Sequence, residues 1–132
     1  MTYKSGGDSK VGKGSGTWNL WFENGNEKLS QSYVDGRADG TWKEWFKNGT
    51  EKKEYNWSSG KLDGKYVEWY ESGQEKIEGE YSNGLKEGAW TEYYVTGEKK
   101  SVESYEGGIP SGEWALFYAN SNSKQEANWD QG

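Results

Sequence analysis

Glycine recurs along this chain at a fixed step of 24 residues, and this periodicity limits the folds that the chain can form. The step continues from residue 16 to residue 132 without an insertion or a deletion, and two series of glycines keep it. A period of this length is typical of repeat proteins, in which each unit packs against its neighbours. We therefore divide the chain into a lead-in rich in Gly, Ser and Lys, residues 1–15, and an array of five units, residues 16–132. The two series are Gly16, Gly40, Gly64, Gly88 and Gly112, and Gly12, Gly36, Gly60, Gly84, Gly108 and Gly132.

Aromatic residues and lysine keep the same step, so that equivalent positions of the units form columns, each named here after its first residue. Chance does not produce this many columns in phase, and the repeat is therefore the main organising feature of the sequence. The columns are Trp18, Trp42, Tyr66, Trp90 and Trp114; Trp21, Trp45, Trp69, Tyr93 and Phe117; Phe22, Phe46, Tyr70, Tyr94 and Tyr118; Lys28, Lys52, Lys76, Lys100 and Lys124; and Tyr33, Trp57, Tyr81, Tyr105 and Trp129.

Each unit has the pattern of a β-hairpin. In the second unit, residues 41–46 form a β-prone run that ends at Asn48-Gly49, and residues 51–57 return before a glycine-containing turn at residues 59–64. Glycine interrupts every window that is long enough for a helix. The sequence predicts an all-β fold, an elongated single-layer antiparallel meander of ten short strands. With strands about 4.8 Å apart, the array would be about 48 Å long.

The loop inside each hairpin decides which residues face each other. A two-residue loop needs positive φ at both residues, which a β-branched residue such as Thr96 disfavours. A three-residue loop needs positive φ only at its glycine, as at Gly73, and we expect this loop. Ser121 occupies the glycine position of the fifth unit, which should be the least stable. The simple three-residue register pairs three glutamates with lysines: Glu44 with Lys52, Glu68 with Lys76, and Glu92 with Lys100.

The same register assigns side chains to the two faces of the sheet. One face carries the Trp18 and Phe22 columns with the paired Glu and Lys rows, and the other carries the Trp21 and Tyr33 columns with the variable column that begins at Leu29. Neither face is continuously apolar, as one face of a sandwich would be. We therefore expect a single layer that is stabilised by aromatic ladders and is in contact with water on both sides.

The composition and the charge exclude several classes of function. The chain has no Cys and no His, which excludes a disulfide, a thiol nucleophile, a Ser-His-Asp triad and an imidazole ligand for a metal. A net charge of −6 argues against nucleic acid as a partner. The sequence has no cluster of basic residues, no apolar run of about 20 residues and no signal-peptide pattern, so a membrane partner is not expected. The compartment stays open between the cytoplasm and the cell envelope.

Four glutamates in one unit, Glu75, Glu78, Glu80 and Glu87, raise the question of acid–base catalysis or a calcium site. A catalytic carboxyl needs protection from water to raise its pKa, and a single-layer sheet offers no deep pocket for it. The alternate spacing of ligands that a calcium loop requires is also missing. We therefore favour the interpretation that these glutamates form a solvated surface. We expect neither an enzyme nor a cofactor or metal site.

The aromatic columns and the lysine column each allow two interpretations. The aromatic columns are either a surface that stacks on sugars or the core of the sheet itself, and the core is favoured because little else in the chain can be buried. The lysine column either binds phosphate or lipid headgroups or pairs with the glutamates inside the sheet, and the pairing is favoured.

The unit G-x-W-x-x-W-F-x-N-G-x-E-K-x-x-x-x-Y-x-x-G-x-x-x-G, which the segment from Gly40 to Gly64 follows closely, resembles the MORN (membrane occupation and recognition nexus) repeat. The resemblance covers residues 16–132 and is closest to the bacterial variant found in YwqK-type antitoxin proteins. It implies one hairpin per repeat in an elongated twisted sheet. It also implies a scaffold or binding role towards proteins or anionic lipids, with no catalysis by the repeats themselves.

The sequence analysis favours a non-enzymatic protein that acts through a protein–protein surface. The last three units are acidic, and this acidic C-terminal half suits a partner with a basic surface, a toxin or effector if the antitoxin resemblance holds. The alternative is a cell-envelope or carbohydrate-binding module that uses exposed aromatic rings. The residues that we expect at the binding surface are Glu71, Glu75, Glu87, Trp69 and Trp90.

Overall fold

The computed structural model describes residues 4–7, 15–117 and 124–129, the first and last of these as backbone only. This part of the chain is all-β, and it forms no helix that is long and apolar enough to cross a membrane. The strands are β1 (Lys4–Gly7), β2 (Gly16–Trp21), β3 (Glu27–Val34), β4 (Arg37–Ala38), β5 (Gly40–Trp45), β6 (Glu51–Ser58), β7 (Lys61–Trp69), β8 (Glu75–Ser82), β9 (Leu85–Tyr93), β10 (Lys99–Glu106), β11 (Ile109–Pro110), β12 (Gly112–Phe117) and β13 (Lys124–Trp129).

The strands form one open antiparallel sheet in which neighbours in the sheet follow each other along the chain. The order is β1-β2-β3-β5-β6-β7-β8-β9-β10-β12-β13, with the short strands β4 and β11 paired to β3 and β10. The predicted elongated single-layer meander is therefore confirmed. In the lead-in, β1 pairs with β2 and adds a strand at the edge of the sheet.

The loop inside each of the first four hairpins has three residues, as the sequence predicts. In the first unit, the carbonyl of Phe22 accepts a hydrogen bond from the amide of Gly25 at 3.0 Å, and the amide of Phe22 donates to the carbonyl of Asn26 at 2.7 Å. The glycine has a φ of +95°, and φ at Gly49, Gly73 and Gly97 lies between +96° and +100°. Ser121, the equivalent residue of the fifth unit, lies outside the described residues.

The predicted Glu–Lys register beyond this loop is wrong. Glu44 lies opposite Lys53, Glu68 opposite Ile77, and Glu92 opposite Ser101. The reason is a β-bulge next to each of the first four loops, in which one extra residue, the lysine of the Lys28 column, stands in the returning strand. Of the three expected pairs, Glu92 and Lys100 still form an ion pair at 3.5 Å.

Each bulged lysine lies over an aromatic ring of its own unit. The ammonium nitrogen is 5.6 Å to 5.8 Å from the centre of the ring in the four units concerned, which is within the range of a cation–π interaction. This contact accounts for the lysine column better than the predicted pairing with glutamate. The pairs are Lys28 with Phe22, Lys52 with Phe46, Lys76 with Tyr70, and Lys100 with Tyr94.

The bulge also changes the predicted assignment of the faces. Because side chains alternate between faces along a strand, one extra residue moves every following side chain to the other face. The Tyr33 and Leu29 columns therefore lie on the face of the Trp18 column and not on that of the Trp21 column. We call the face of the Trp18 and Tyr33 columns the aromatic face, and the opposite face, which carries the Trp21 column and Glu75, Glu78, Glu80 and Glu87, the acidic face.

A second kind of turn joins one unit to the next. It has two residues with positive φ, for example 49° at Ser59 and 87° at Gly60, as a type I′ turn requires. A side chain of the preceding unit binds each of these turns: the carboxylate of Asp39 accepts a hydrogen bond from the amide of Ser59 at 3.0 Å. Glu87 does the same for the amide of Gly107 at 2.9 Å, so this glutamate has a structural role.

Very few side chains are fully buried. Among the described residues, the buried ones other than glycine are Val67, Trp90 and Ser101, with exposed fractions of 3%, 6% and 6%. The remaining strand residues are mostly half-buried, because a single layer has no second sheet to cover either face. Trp90 lies over the backbone of Gly79, where a Cβ atom would be only 2.1 Å from the indole ring.

Candidate functional site

The rings of the aromatic face contact one another across the strands. Trp42 lies 5.4 Å from Tyr33 and 5.2 Å from Trp57, and Trp90 lies 5.0 Å from Tyr81, measured between ring centres. Three indole N–H groups of this face are bonded to backbone carbonyls of the preceding unit: Trp42 donates to Ser32 at 2.9 Å, Trp90 to Glu80 at 3.1 Å, and Trp114 to Ser104 at 3.0 Å. The indole N–H of Trp57 is buried without a partner among the described residues. These rings pack the sheet, and their polar atoms are largely occupied.

The glutamates of the aromatic face are also occupied within the chain. The phenol of Tyr55 donates a hydrogen bond to Glu44 at 2.8 Å, and the phenol of Tyr66 donates a short one to Glu68. Burial raises the pKa of both phenols far above the ordinary value of 10, and the neighbouring carboxylate raises it further. These phenols therefore stay protonated and hold the carboxylates in place.

The acidic face has a concentration of like charges in the third and fourth units. Glu80 and Glu87 lie directly opposite each other in neighbouring strands, an arrangement that is destabilising between like charges. The pKa of Glu75 is raised by burial first and by the charge of Glu78 second, while Lys65 lowers it. Glu78 itself accepts a hydrogen bond from the phenol of Tyr93 at 3.4 Å. The compensation that the chain supplies for these carboxylates is therefore incomplete.

A shallow depression of about 440 Å³ lies among these side chains. Its walls carry both signs of charge, since Lys65 faces the glutamates there, and the depression is open to solvent. Among the described residues, no three acidic side chains are arranged so that they could hold a metal ion. The depression is lined by Lys65, Glu78, Glu80, Glu87, Thr91 and small residues between them.

Aromatic and acidic residues alternate along the side of the acidic face where the strands meet the hairpin loops. In the first four units the three-residue loop places each residue of the Trp21 column directly opposite the residue six positions later, which is Glu in the first three of them. Neighbouring strands then contribute an aromatic residue and a carboxylate in turn, up to Tyr93, which lies opposite Lys99. We call this set the Trp–Glu row: Trp21, Glu27, Trp45, Glu51, Trp69, Glu75 and Tyr93.

The indoles of the Trp–Glu row differ from those of the aromatic face. Trp21, Trp45 and Trp69 are partly exposed, and within the described part of the chain their indole N–H groups have no acceptor and their rings contact no other ring or cation. The row therefore has aromatic surface and donors that the chain itself does not use.

The structure separates the five residues that the sequence analysis expected at a binding surface. Trp69 and Glu75 lie directly opposite each other on the acidic face, and Glu87 lies on the same face. Glu71 is exposed in the loop of the third unit, while Trp90 is buried on the aromatic face. The sequence analysis did not include Trp45 and Glu51 in the surface, although their repetition at the 24-residue step, next to the loop, was visible.

Comparison with known proteins gives no further assignment. No protein-family model matches the sequence. No curated protein matches it either.

Proposed function

We propose that the chain is a non-enzymatic binding protein whose acidic face binds a positively charged surface or segment of a protein partner. The observation that carries the proposal is the set of carboxylates in the third and fourth units, Glu75, Glu78 and Glu80, which lie close together with incomplete compensation. Repulsion between these carboxylates destabilises the free protein. A cationic partner would relieve this repulsion, which favours its binding to the acidic face.

The contrast between the two faces supports the choice of the acidic face. On the aromatic face, the rings pack against one another, three indoles donate to backbone carbonyls, and Glu44 and Glu68 accept hydrogen bonds from tyrosines. On the acidic face, the tryptophans of the Trp–Glu row are unoccupied. Aromatic residues that are open at a surface are typical of protein interfaces. The resemblance of the repeat to bacterial MORN units, with their scaffold or antitoxin-like roles, points in the same direction.

Carbohydrate binding is the second candidate, and the same three indoles favour it. Trp21, Trp45 and Trp69 are partly exposed. They stand on successive hairpins next to the loops, where a sugar chain that crosses the strands could stack on one ring after another. The carboxylates between them would accept hydrogen bonds from hydroxyl groups. Binding of this kind should respond little to ionic strength, whereas binding to a basic protein should weaken as salt screens the charges.

The experiment compares two variants that lose the same charge on opposite faces. The first carries Glu75→Gln, Glu78→Gln and Glu80→Gln on the acidic face. The matched control carries three equivalent changes on the aromatic face, Glu68→Gln, Glu92→Gln and Glu103→Gln. Each variant and the unchanged chain are immobilised, and the proteins that they capture from the source cells are quantified at low and at high salt, with a glycan array alongside.

We expect a protein that is captured by the unchanged chain and by the control but is lost with the acidic-face variant and at high salt. Equal capture by all three chains would refute the proposal. Binding of a glycan that does not depend on salt, and that is lost on changing Trp45 and Trp69 to Ala, would establish the second candidate instead.

A further inference from the structure

The spacing and chemistry of the Trp–Glu row specify the shape of a partner more closely than charge alone does. We propose that the row binds an extended basic segment of a protein in the polyproline II conformation, with Lys or Arg at every third residue. This inference rests on the proposed function, since it takes the acidic face as the binding surface and names the kind of segment that fits it.

The distance between successive aromatic residues selects this conformation. Trp21, Trp45 and Trp69 stand two strands apart in the sheet, which corresponds to steps of about 9.6 Å. A polyproline II segment advances about 3.1 Å per residue and has three residues per turn, so that every third side chain recurs after about 9.3 Å on the same side. In a β-strand the side chains of one side recur after about 6.7 Å, which does not match the row.

The alternation of ring and carboxylate selects a cationic side chain. Trp69 and Glu75 lie directly opposite each other in neighbouring strands, and Trp45 and Glu51 do the same. A Lys or Arg placed at such a pair would contact the face of the indole and the carboxylate at once. Each repeat of the row thus offers one site for one cation.

The free indole donors favour polyproline II over a helix. Within the described chain the N–H groups of Trp21, Trp45 and Trp69 have no acceptor. The backbone carbonyls of a polyproline II segment are not used inside the segment, so they can accept from these donors, as in other aromatic-lined surfaces that bind such segments. In an α-helix most of those carbonyls are already bonded.

Two contacts within the chain occupy carboxylates of the row: Asn19 donates a hydrogen bond to Glu27 at 2.7 Å, and Lys43 pairs with Glu51. Lys43 lies 3.9 Å from Glu51, and the two side chains are 39% and 34% exposed. Exposed ion pairs of this kind contribute little to stability. The row ends at Lys99, opposite Tyr93, where a cation of the partner would be repelled. Because neighbouring strands are also twisted by roughly 20° to 25°, a straight segment can follow only about three units.

The test uses two labelled peptides of identical composition, three lysines and six prolines, and measures their affinity for the full chain by fluorescence polarisation. One peptide has lysine at every third residue, and the other has the three lysines together at one end. We expect the periodic peptide to bind at least about fivefold more tightly, and to lose about fivefold or more when Trp45→Phe and Trp69→Phe weaken two ring contacts and remove two donors. Trp18→Phe, which changes a tryptophan on the aromatic face, is the matched control and should have no effect.

The outcomes separate this inference from the proposed function. Equal affinity for the two peptides, lost in the acidic-face variant, would overturn the inference and leave the proposed function standing. Failure of both peptides to bind overturns the inference as well, and the capture experiment then decides the proposed function independently. A glycan that binds through Trp45 and Trp69 in place of the peptide would overturn both.

Discussion

Trp90 is buried because the residue beneath it has no side chain. A Cβ atom at Gly79 would lie 2.1 Å from the nearest atom of the Trp90 ring, whereas the equivalent position of the second unit carries Tyr55. Tyr66 and Tyr81 pack against the same indole, at 5.5 Å and 5.0 Å between ring centres. This group is the best-packed part of the described chain, and a change there should affect the stability of the whole array.

Gly79→Ala should therefore destabilise the chain by about 1–3 kcal/mol, because the ring of Trp90 must move to make room for the added atom. Unfolding in denaturant, followed by tryptophan fluorescence, measures the loss. In a Trp90→Ala background the same substitution should cost far less, since the obstacle is gone. An equal cost in both backgrounds would show that the clash with Trp90 is not the cause.

Glu75 should make stability depend on pH in a defined direction. Its pKa in the folded chain lies above the ordinary value of 4.5, so the folded state binds this proton more tightly than the unfolded state does. The contribution of Glu75 is therefore most favourable at low pH and is lost as the pH rises through the raised pKa. Glu75→Gln should stabilise the chain at pH 7 and should do so less at pH 4.

The measurement is the free energy of unfolding of both chains across this range of pH. Glu71→Gln, an exposed residue of the neighbouring loop, is the control because it removes the same charge. If the curves of the Glu75→Gln variant and the unchanged chain run parallel, the strain attributed to Glu75 and Glu78 is absent.

At the scale of the hairpin loops, two different side chains make the same kind of link between units. In the first two units Asn24 and Asn48 donate to the carbonyls of Lys47 and Glu71 at 2.9 Å and 3.3 Å. The third and fourth units lack these asparagines but carry tyrosine in place of phenylalanine two residues earlier. Tyr70 and Tyr94 donate to the carbonyls of Tyr93 and Phe117 at 2.8 Å and 2.9 Å.

The two links should be interchangeable. Tyr70→Phe removes one and should cost about 0.5–1.5 kcal/mol, the usual contribution of such a hydrogen bond. Adding Ser72→Asn should restore much of this loss, because the new amide would lie where Asn24 and Asn48 lie in their units and would donate to the carbonyl of Val95. Denaturant unfolding of the single and double variants tests this; a double variant no more stable than Tyr70→Phe would contradict it.

The loop glycine of the third unit isolates the effect of backbone conformation. Gly73 has a φ of +98°, and nothing lies within 4 Å of the position that a Cβ atom would take. Gly73→Ala should therefore cost about 1–2 kcal/mol through the left-handed conformation alone, and Gly73→Asn less, because Asn tolerates that conformation better. A neutral Gly73→Ala variant in thermal unfolding would be inconsistent with the three-residue loop.

The whole molecule is a single layer with few buried side chains, so its dimensions differ from those of a compact domain. The sheet path has eleven strands, and the ten spacings of about 4.8 Å between them extend over about 48 Å. A compact chain of this length would have a radius of gyration near about 14 Å. Small-angle X-ray scattering should give a larger radius and a maximum dimension above about 48 Å. A compact, symmetric distance distribution would contradict the single-layer architecture.

Local chemistry is sufficient to predict much of this fold from the sequence. The step of 24 residues defines the units, and the β-prone runs between glycine-containing turns predict the strands. The three-residue loop follows from the conformations that Thr96 and Gly97 can adopt, which depend on those residues alone. A surface that includes Trp69 and Glu75 was also within reach, because both lie next to this loop.

Only the tertiary structure decided the faces of the sheet and thereby the composition of the candidate site. The bulge at Lys52 depends on a ring that this lysine covers and on the neighbouring strands that take up the shifted register, and none of these contacts is visible in the spacing of residues. The consequence is large because side chains alternate with a period of two, so that one extra residue exchanges the faces. That exchange places the Tyr33 column on the aromatic face, where Tyr33 packs against Trp42. Trp45 and Glu51 lie on the opposite face, away from the rings of the Tyr33 column.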